Sequence, residues 1–125
     1  MKFYAAQIFL VFEYLHHFDI CMMPFALNEA TRFISPTKTL EFMAADKPII
    51  STKIYDVERD YAHVIRIINN ASEFSKAIDY YLNEDLIDKE HRLTQQNIIL
   101  AKTSWDLTAA AMSKLIQQEL VEAVQ

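Results

Sequence analysis

Not one glycine occurs in this chain of 125 residues, where average usage near 7% would give roughly nine. Every tight turn and helix exit must therefore be made by Asn, Asp, Ser or Pro. The demand is sharpest in the stretch Ser35 to Thr52, SPTKTLEFMAADKPIIST. It runs polar loop, proline, amphipathic segment, turn and short apolar run. That order predicts a helix opened by Pro36 and ended near Ala45, then a buried strand entered at Pro48. Helices commonly exit through a left-handed residue, a geometry that costs on the order of 1 kcal/mol where a Cβ is present. Asp46 is the residue expected to adopt it.

Short apolar runs alternate with helical patterns along the rest of the chain. IFLVFEYLHHF, from Ile8, reads as a buried helix, and DICMMPF, Asp19 to Phe25, as a buried strand closed by Pro24. ALNEATRFIS is a loop with a single turn. YDVERDYA predicts a short helical turn, and HVIRII a third strand. Ser72 with Phe74, Ala77, Ile78 and Tyr81 predicts a capped amphipathic helix. Two further helices are expected, about Asp88 to Ala101 and Ser104 to Val124, the last with Thr103 and Asp106 as a short-armed capping box. The fold class is α/β: a partial Rossmann-like domain, with a short three-stranded parallel sheet flanked by helices and a helical C-terminus. Residues 1–125 read as one domain, and as a truncated one, because three strands leave two edges to protect.

Composition excludes several classes. A formal net charge of -5 with no basic run argues against non-specific nucleic-acid binding. The single cysteine, Cys21, cannot form an internal disulfide and fits a reduced cytoplasmic setting. The N-terminal MKFYAAQIFLVFEYLHH has neither a cleavage site nor the roughly 20 apolar residues of a membrane span. A soluble protein, in the cytoplasm or at the inner face of the membrane, is expected.

In open α/β sheets, ligands bind beyond the carboxyl ends of the strands, where helix N-termini point. The backbone N–H groups of Ser35, Thr37, Lys38 and Thr39 are expected to be free there for an anion. Lys38 places a positive charge in the first helical turn against the dipole, which makes sense where a phosphate lies between them. Glu41, one turn later on nearly the same face, is placed to accept hydrogen bonds from ribose hydroxyls. The competing reading of Lys38 and Glu41 is an exposed i,i+3 ion pair worth a few tenths of a kcal/mol, on the order that such pairs contribute.

The stretch FDICMMPFALNEATRFISPTKTLEFMAADKPIIST resembles the donor-binding half of bacterial glycosyltransferases of the GT-B fold. Members typically carry Ser-Pro-x-Lys-x-x-Glu-[Tyr/Phe]-Met-Ala-Ala-Gly-Lys-Pro after a strand ending in proline. Here that segment runs from Ser35 and Pro36 through Lys38, Glu41 and Phe42 to Lys47 and Pro48, and the likeness extends roughly from Tyr14 to Ile116. The resemblance implies that Lys38 contacts the diphosphate of a UDP- or GDP-type nucleotide-sugar and Glu41 its ribose. It also implies that the loop from Asn28 to Ser35 faces the sugar and phosphates. Two positions depart from the pattern. Phe33 stands where many relatives carry a second glutamate, and Asp46 replaces the glycine that closes the helix. The acceptor domain of such enzymes has no counterpart in Met1 to Glu13, so the chain alone is expected to bind donor without transferring sugar. The implied partners are the nucleotide-sugar and either a second copy or an acceptor-domain protein; no metal or cofactor is called for.

The remaining candidates read more simply as structure. His16 and His17 are adjacent and point apart, which suits packing or surface roles. Cys21, Met22, Met23 and Met43 read as core. Asp56, Glu58 and Asp60 read as a solvated turn. The alternative function class is a non-enzymatic helical interaction module whose last helices pack on a partner or on a second copy.

Overall fold

The chain is described here by a computed structural model covering residues 10–124. The start of the helix expected from Ile8 lies outside the described residues. Residues 10–16 are helical (α1) and of these Leu15 is buried, whereas Leu10, Val11 and Tyr14 are exposed. The expected buried helix is thus, in its described part, a surface helix held by Leu15 and a half-buried Phe12.

Three short strands follow the expected runs: β1 Cys21–Met23, β2 Ile49–Thr52 and β3 Arg66–Ile68. They pair in chain order and in parallel, with Cys21 opposite Ile49 and Ile50 opposite Arg66. Between them lie α2 Lys38–Ala44 and α3 Tyr55–Tyr61; after them come α4 Ala71–Leu82, α5 Leu86–Lys102 and α6 Trp105–Val124. The architecture is the expected α/β one, a small parallel sheet with helices around it and a helical C-terminus.

Alternation along the strands sorts the two faces of the sheet. Cys21, Met23 and Ile49 enter the main core with Met43 of α2, Val57 of α3 and Ile54. Ile50, on the other face, is also buried, and α4 packs against β3 on that side with Ala77 buried. Cover on this second face stops short of β1. Met22 is 48% exposed, so β1 is not the fully buried strand that its apolar run suggests, and Met22 is not core filler. Met23 and Met43 are.

Two helix starts are capped by residues other than those expected. The Asn70 side chain, not Ser72, accepts the Glu73 N–H at 2.9 Å, and the Glu73 carboxylate reaches back to the Asn69 N–H at 2.8 Å. That is a capping box displaced by one residue at its return arm. At α6, Ser104 Oγ accepts the Leu107 N–H at 3.1 Å, while the Thr103 hydroxyl donates to the Ile99 carbonyl of the preceding helix. Ser104 is the cap because it stands directly before the first helical residue, where its hydroxyl reaches the N–H of the third; Thr103 is drawn back to α5 instead.

Candidate functional site

Helix α2 runs from the carboxyl end of β1 back toward the start of β2, so its first turn stands where α/β sheets receive ligands. The chain reaches that point through a loop fixed by its own side chains. The Thr31 N–H donates to Asn28 Oδ1 and the Asn28 N–H to Thr31 Oγ1, both at 3.1 Å. The Thr52 hydroxyl at the end of β2 donates to the Phe25 carbonyl at 2.8 Å, tying this loop to the sheet.

The proposed phosphate and ribose residues come together only in part. Lys38 Nζ lies 3.4 Å from Glu41 Oε2, with the two side chains 62% and 44% exposed. The residues share a face as the i,i+3 spacing requires, and they form the exposed ion pair that the spacing alone predicts. Ser35 and Thr37 are exposed and Pro36 is half-buried. Thr39 is different. It is fully buried, its hydroxyl donates to the Pro36 carbonyl at 2.9 Å, and its N–H is directed at the same carbonyl at 3.4 Å. Thr39 therefore holds the helix start in place and has no polar group left for a ligand. The Asn28 side-chain oxygen is likewise committed to Thr31. Among the described residues, the N–H groups of Thr37 and Lys38 have no backbone acceptor, so the anion-binding part of the expectation rests on these two and on Ser35.

Two cationic residues lie at the same end of the sheet, Arg32 in the loop from Asn28 to Ser35 and Lys53 outside the expected site. Arg32 and Lys53 line a shallow hollow of about 560 Å³ together with Asn28, Thr31 and Tyr55. Lys53 follows the last residue of β2 directly, and that position beyond a strand's carboxyl end was the signal available in sequence. Its charge is partly answered by Glu58 at 3.4 Å, and that of Arg32 by Glu29 at 3.8 Å. Asp56 and Asp60 pair with Arg59 on the surface of α3. The hydrogen bond from Arg59 holds the Asp60 carboxyl below the usual carboxylate range. These acids belong to a solvated helix face, as their pattern suggested.

A second cavity, of about 620 Å³, lies elsewhere, under β3 between α4 and α5. The Arg66 guanidinium stands 3.6 Å from the centre of the Tyr80 ring, and the Tyr80 hydroxyl donates to Asp88 at 2.9 Å. Burial pushes the Tyr81 phenol up to about 12. The hydrogen bond to Asp88 moves Tyr80 in the same direction. Neither phenol ionises near neutral pH, so this cleft contains no tyrosine poised for acid–base work.

Cys21 is buried, and desolvation raises its thiol pKa against a smaller opposing effect of Lys47. A thiol so placed is a poor nucleophile. His16 and His17 are exposed. Among the described residues, no group of three or more His, Cys, Asp or Glu is placed to hold a metal ion, and no helix is long and apolar enough to cross a membrane. No family model, curated protein or solved structure matches this chain.

Proposed function

We propose that the carboxyl end of the sheet binds the nucleotide-diphosphate part of a UDP- or GDP-type nucleotide-sugar. In this reading Lys38 meets the phosphates, Glu41 the ribose hydroxyls, and the N–H groups of Ser35, Thr37 and Lys38 the phosphate oxygens. The observation that carries it is the pair of N–H groups, of Thr37 and Lys38, left without a backbone acceptor beside the exposed Lys38 side chain, at the ligand-receiving end of a parallel sheet. A ligand that takes up both side chains must part them, which costs little, because an exposed pair of this kind is worth about 0.2–1 kcal/mol. In the glycosyltransferases that the chain resembles, a separate domain holds the acceptor. In this reading the described residues supply the donor-binding part.

Isothermal titration with UDP, GDP and uridine tests the reading. A charge-assisted contact to phosphate is worth about 1.5–3 kcal/mol, so Lys38→Ala should lower diphosphate affinity roughly tenfold or more and leave uridine untouched. Equal losses for uridine and UDP would remove Lys38 from the phosphates. Absence of binding to both UDP and GDP would remove the proposal.

A second reading, an interaction module without a nucleotide ligand, is favoured by one specific observation. All of α6 is exposed, with no buried residue along its 20 positions. A chain that binds no nucleotide but associates through α6 would fit that class.

A further inference from the structure

We propose that α6 pairs antiparallel with α6 of a second copy of this chain, along the stripe Trp105, Ala109, Met112, Ile116, Leu120 and Ala123. This inference is independent of the nucleotide site. The six positions recur at steps of four, three, four, four and three, and so lie along one face of the helix. Every one of them is exposed, Trp105 to 89%. Helices in proteins draw most of their stability from packing an apolar face, and among the described residues nothing buries that of α6, so it needs a cover.

The stripe is complementary to itself when reversed. Antiparallel pairing sets Trp105 against Ala123 of the second copy, Ala109 against Leu120, and Met112 against Ile116. Large side chains thus meet small ones at both ends, and two of middle size meet at the centre. A two-fold axis demands this relation, in which residue i meets j while j meets i. Parallel pairing would oppose Trp105 to Trp105 and Ala109 to Ala109. It would also bring the two copies of Glu119, which flanks the stripe, side by side. In the antiparallel pair Glu119 lies about 15 Å from its counterpart along the axis, beyond the roughly 8 Å screening length at physiological salt. Lys114 projects from the opposite side of the helix and stays in water.

The area suits a dimer. Trp105, Met112, Leu115, Ile116, Leu120 and Val124 lie on or beside the stripe and are exposed. At on the order of 100 Å² each they give about 600 Å² per copy and about 1,200 Å² for the pair. That is the lower end of the range for specific, stable interfaces, about 1,200–2,000 Å².

Sedimentation velocity over a wide concentration range, read together with tryptophan emission, tests the proposal. Trp105 is the single tryptophan and reports on the interface directly. The wild-type chain should pass from monomer to dimer with a blue shift in emission. Ile116→Asp should remain monomeric without the shift, and Lys114→Asp, on the far side, should dimerise as wild type does. On mild oxidation, Ala109→Cys mixed with Leu120→Cys should cross-link between chains, whereas Ala109→Cys alone should not. A wild-type chain that stays monomeric throughout overturns the proposal and leaves the helix to a different partner. A dimer that survives Ile116→Asp overturns it too, as does one lost equally in Lys114→Asp. Cross-linking of Ala109→Cys to itself would overturn the antiparallel register.

Discussion

Past the C-terminal end of α2, three backbone carbonyls on the way into β2 are held by side chains of α4 and α5, those of Arg92 and Gln96 buried and that of Tyr81 half-buried. Arg92 Nη1 donates to the Asp46 carbonyl at 3.3 Å, Gln96 Nε2 to the Lys47 carbonyl at 3.1 Å, and the Tyr81 hydroxyl to the Ile49 carbonyl at 3.3 Å. At its N-terminal end, some ten residues away in sequence, the helix has unpaired N–H groups and one ion pair in water. The two ends of one seven-residue helix thus carry opposite provisions. The closed end positions the helix against α5 and the sheet. The open end leaves donors and charges that the fold itself does not consume, and such groups are the ones a ligand can use without cost to stability.

The comparison breaks most readily at Arg92. Its guanidinium holds Glu84 by two bonds, at 2.9 and 2.8 Å, and both side chains are less than a tenth exposed. Arg92→Ala would leave Glu84 buried and unpaired and the Asp46 carbonyl without its donor. Removing one partner of a buried pair costs about 3–5 kcal/mol, a large part of the roughly 5–15 kcal/mol that holds a domain together. Urea denaturation should show that loss. The double change Arg92→Met with Glu84→Gln should recover much of it, because no bare charge then remains. If Arg92→Ala costs under 1 kcal/mol, the closed end is not held by this pair.

The strands were legible because each is an apolar run bounded by turn residues, and the exit at Asp46 because a chain without glycine has few other ways to leave a helix. Asp46 is the one described residue with positive φ, at 60°, and it sits in the exit as expected. The Asn70 cap was also written in the sequence, three residues before Glu73, but the nearby Ser72 drew the assignment. The closed end was not legible. Arg92 and Gln96 look like ordinary polar positions on α5, and their acceptors are backbone carbonyls 46 and 49 residues away. Backbone acceptors leave no mark in side-chain patterning. The cover missing over Met22 was hidden for a related reason, since an apolar run shows that a strand wants burial and not whether both faces receive it. At the open end, sequence placed Lys38 and Glu41 on one face, but not the burial of Thr39, which depends on Met23 beneath it.

A second test of the closed end uses pH. The Tyr81 phenol is held neutral chiefly by burial, with its pKa raised from near 10 to about 12. A group whose folded pKa is raised contributes stability that is intact below the unfolded value and lost as pH rises through the folded one. Unfolding free energy should therefore fall between about pH 10 and 12, with about 2 kcal/mol of the loss due to Tyr81. Cys21 and Tyr61 are also raised and contribute with the same sign. Tyr81→Phe should flatten the slope without abolishing it. An unchanged slope would place the alkaline loss in those other groups.

The exit itself offers a smaller and opposite effect. Asp46 N–H donates to the Met43 carbonyl at 2.9 Å and Lys47 N–H to the Phe42 carbonyl at 3.1 Å, the two bonds of a Schellman closure. Aspartate pays for φ of 60° with steric strain of about 1 kcal/mol and places a negative charge near the helix C-terminus. Asp46→Gly keeps both backbone bonds and the carbonyl that Arg92 uses, so the fold should gain about 1 kcal/mol and melt several degrees higher. A loss in place of a gain would mean that the carboxylate has a stabilising role of its own.

The smallest expected effect on stability belongs to the open end, and it separates the two ends most cleanly. Lys38 and Glu41 each lose an exposed partner when either is changed to alanine, a term of about 0.2–0.5 kcal/mol for an i,i+3 pair on a helix. Neither supports the core, because Thr39 and Met43 face inward on the same helix and they do not. Chemical denaturation should thus place both variants within about 0.5 kcal/mol of the wild type. Ligand affinity should respond where stability does not. Glu41→Ala should weaken a ribonucleoside diphosphate and barely change its 2′-deoxy counterpart, which has already lost one of the hydroxyls that the carboxylate accepts. If both ligands weaken alike, Glu41 acts on the site through Lys38 and not on the ribose. If either variant costs well over 1 kcal/mol in stability, the open end is part of the scaffold after all, and the contrast drawn between the two ends of α2 fails.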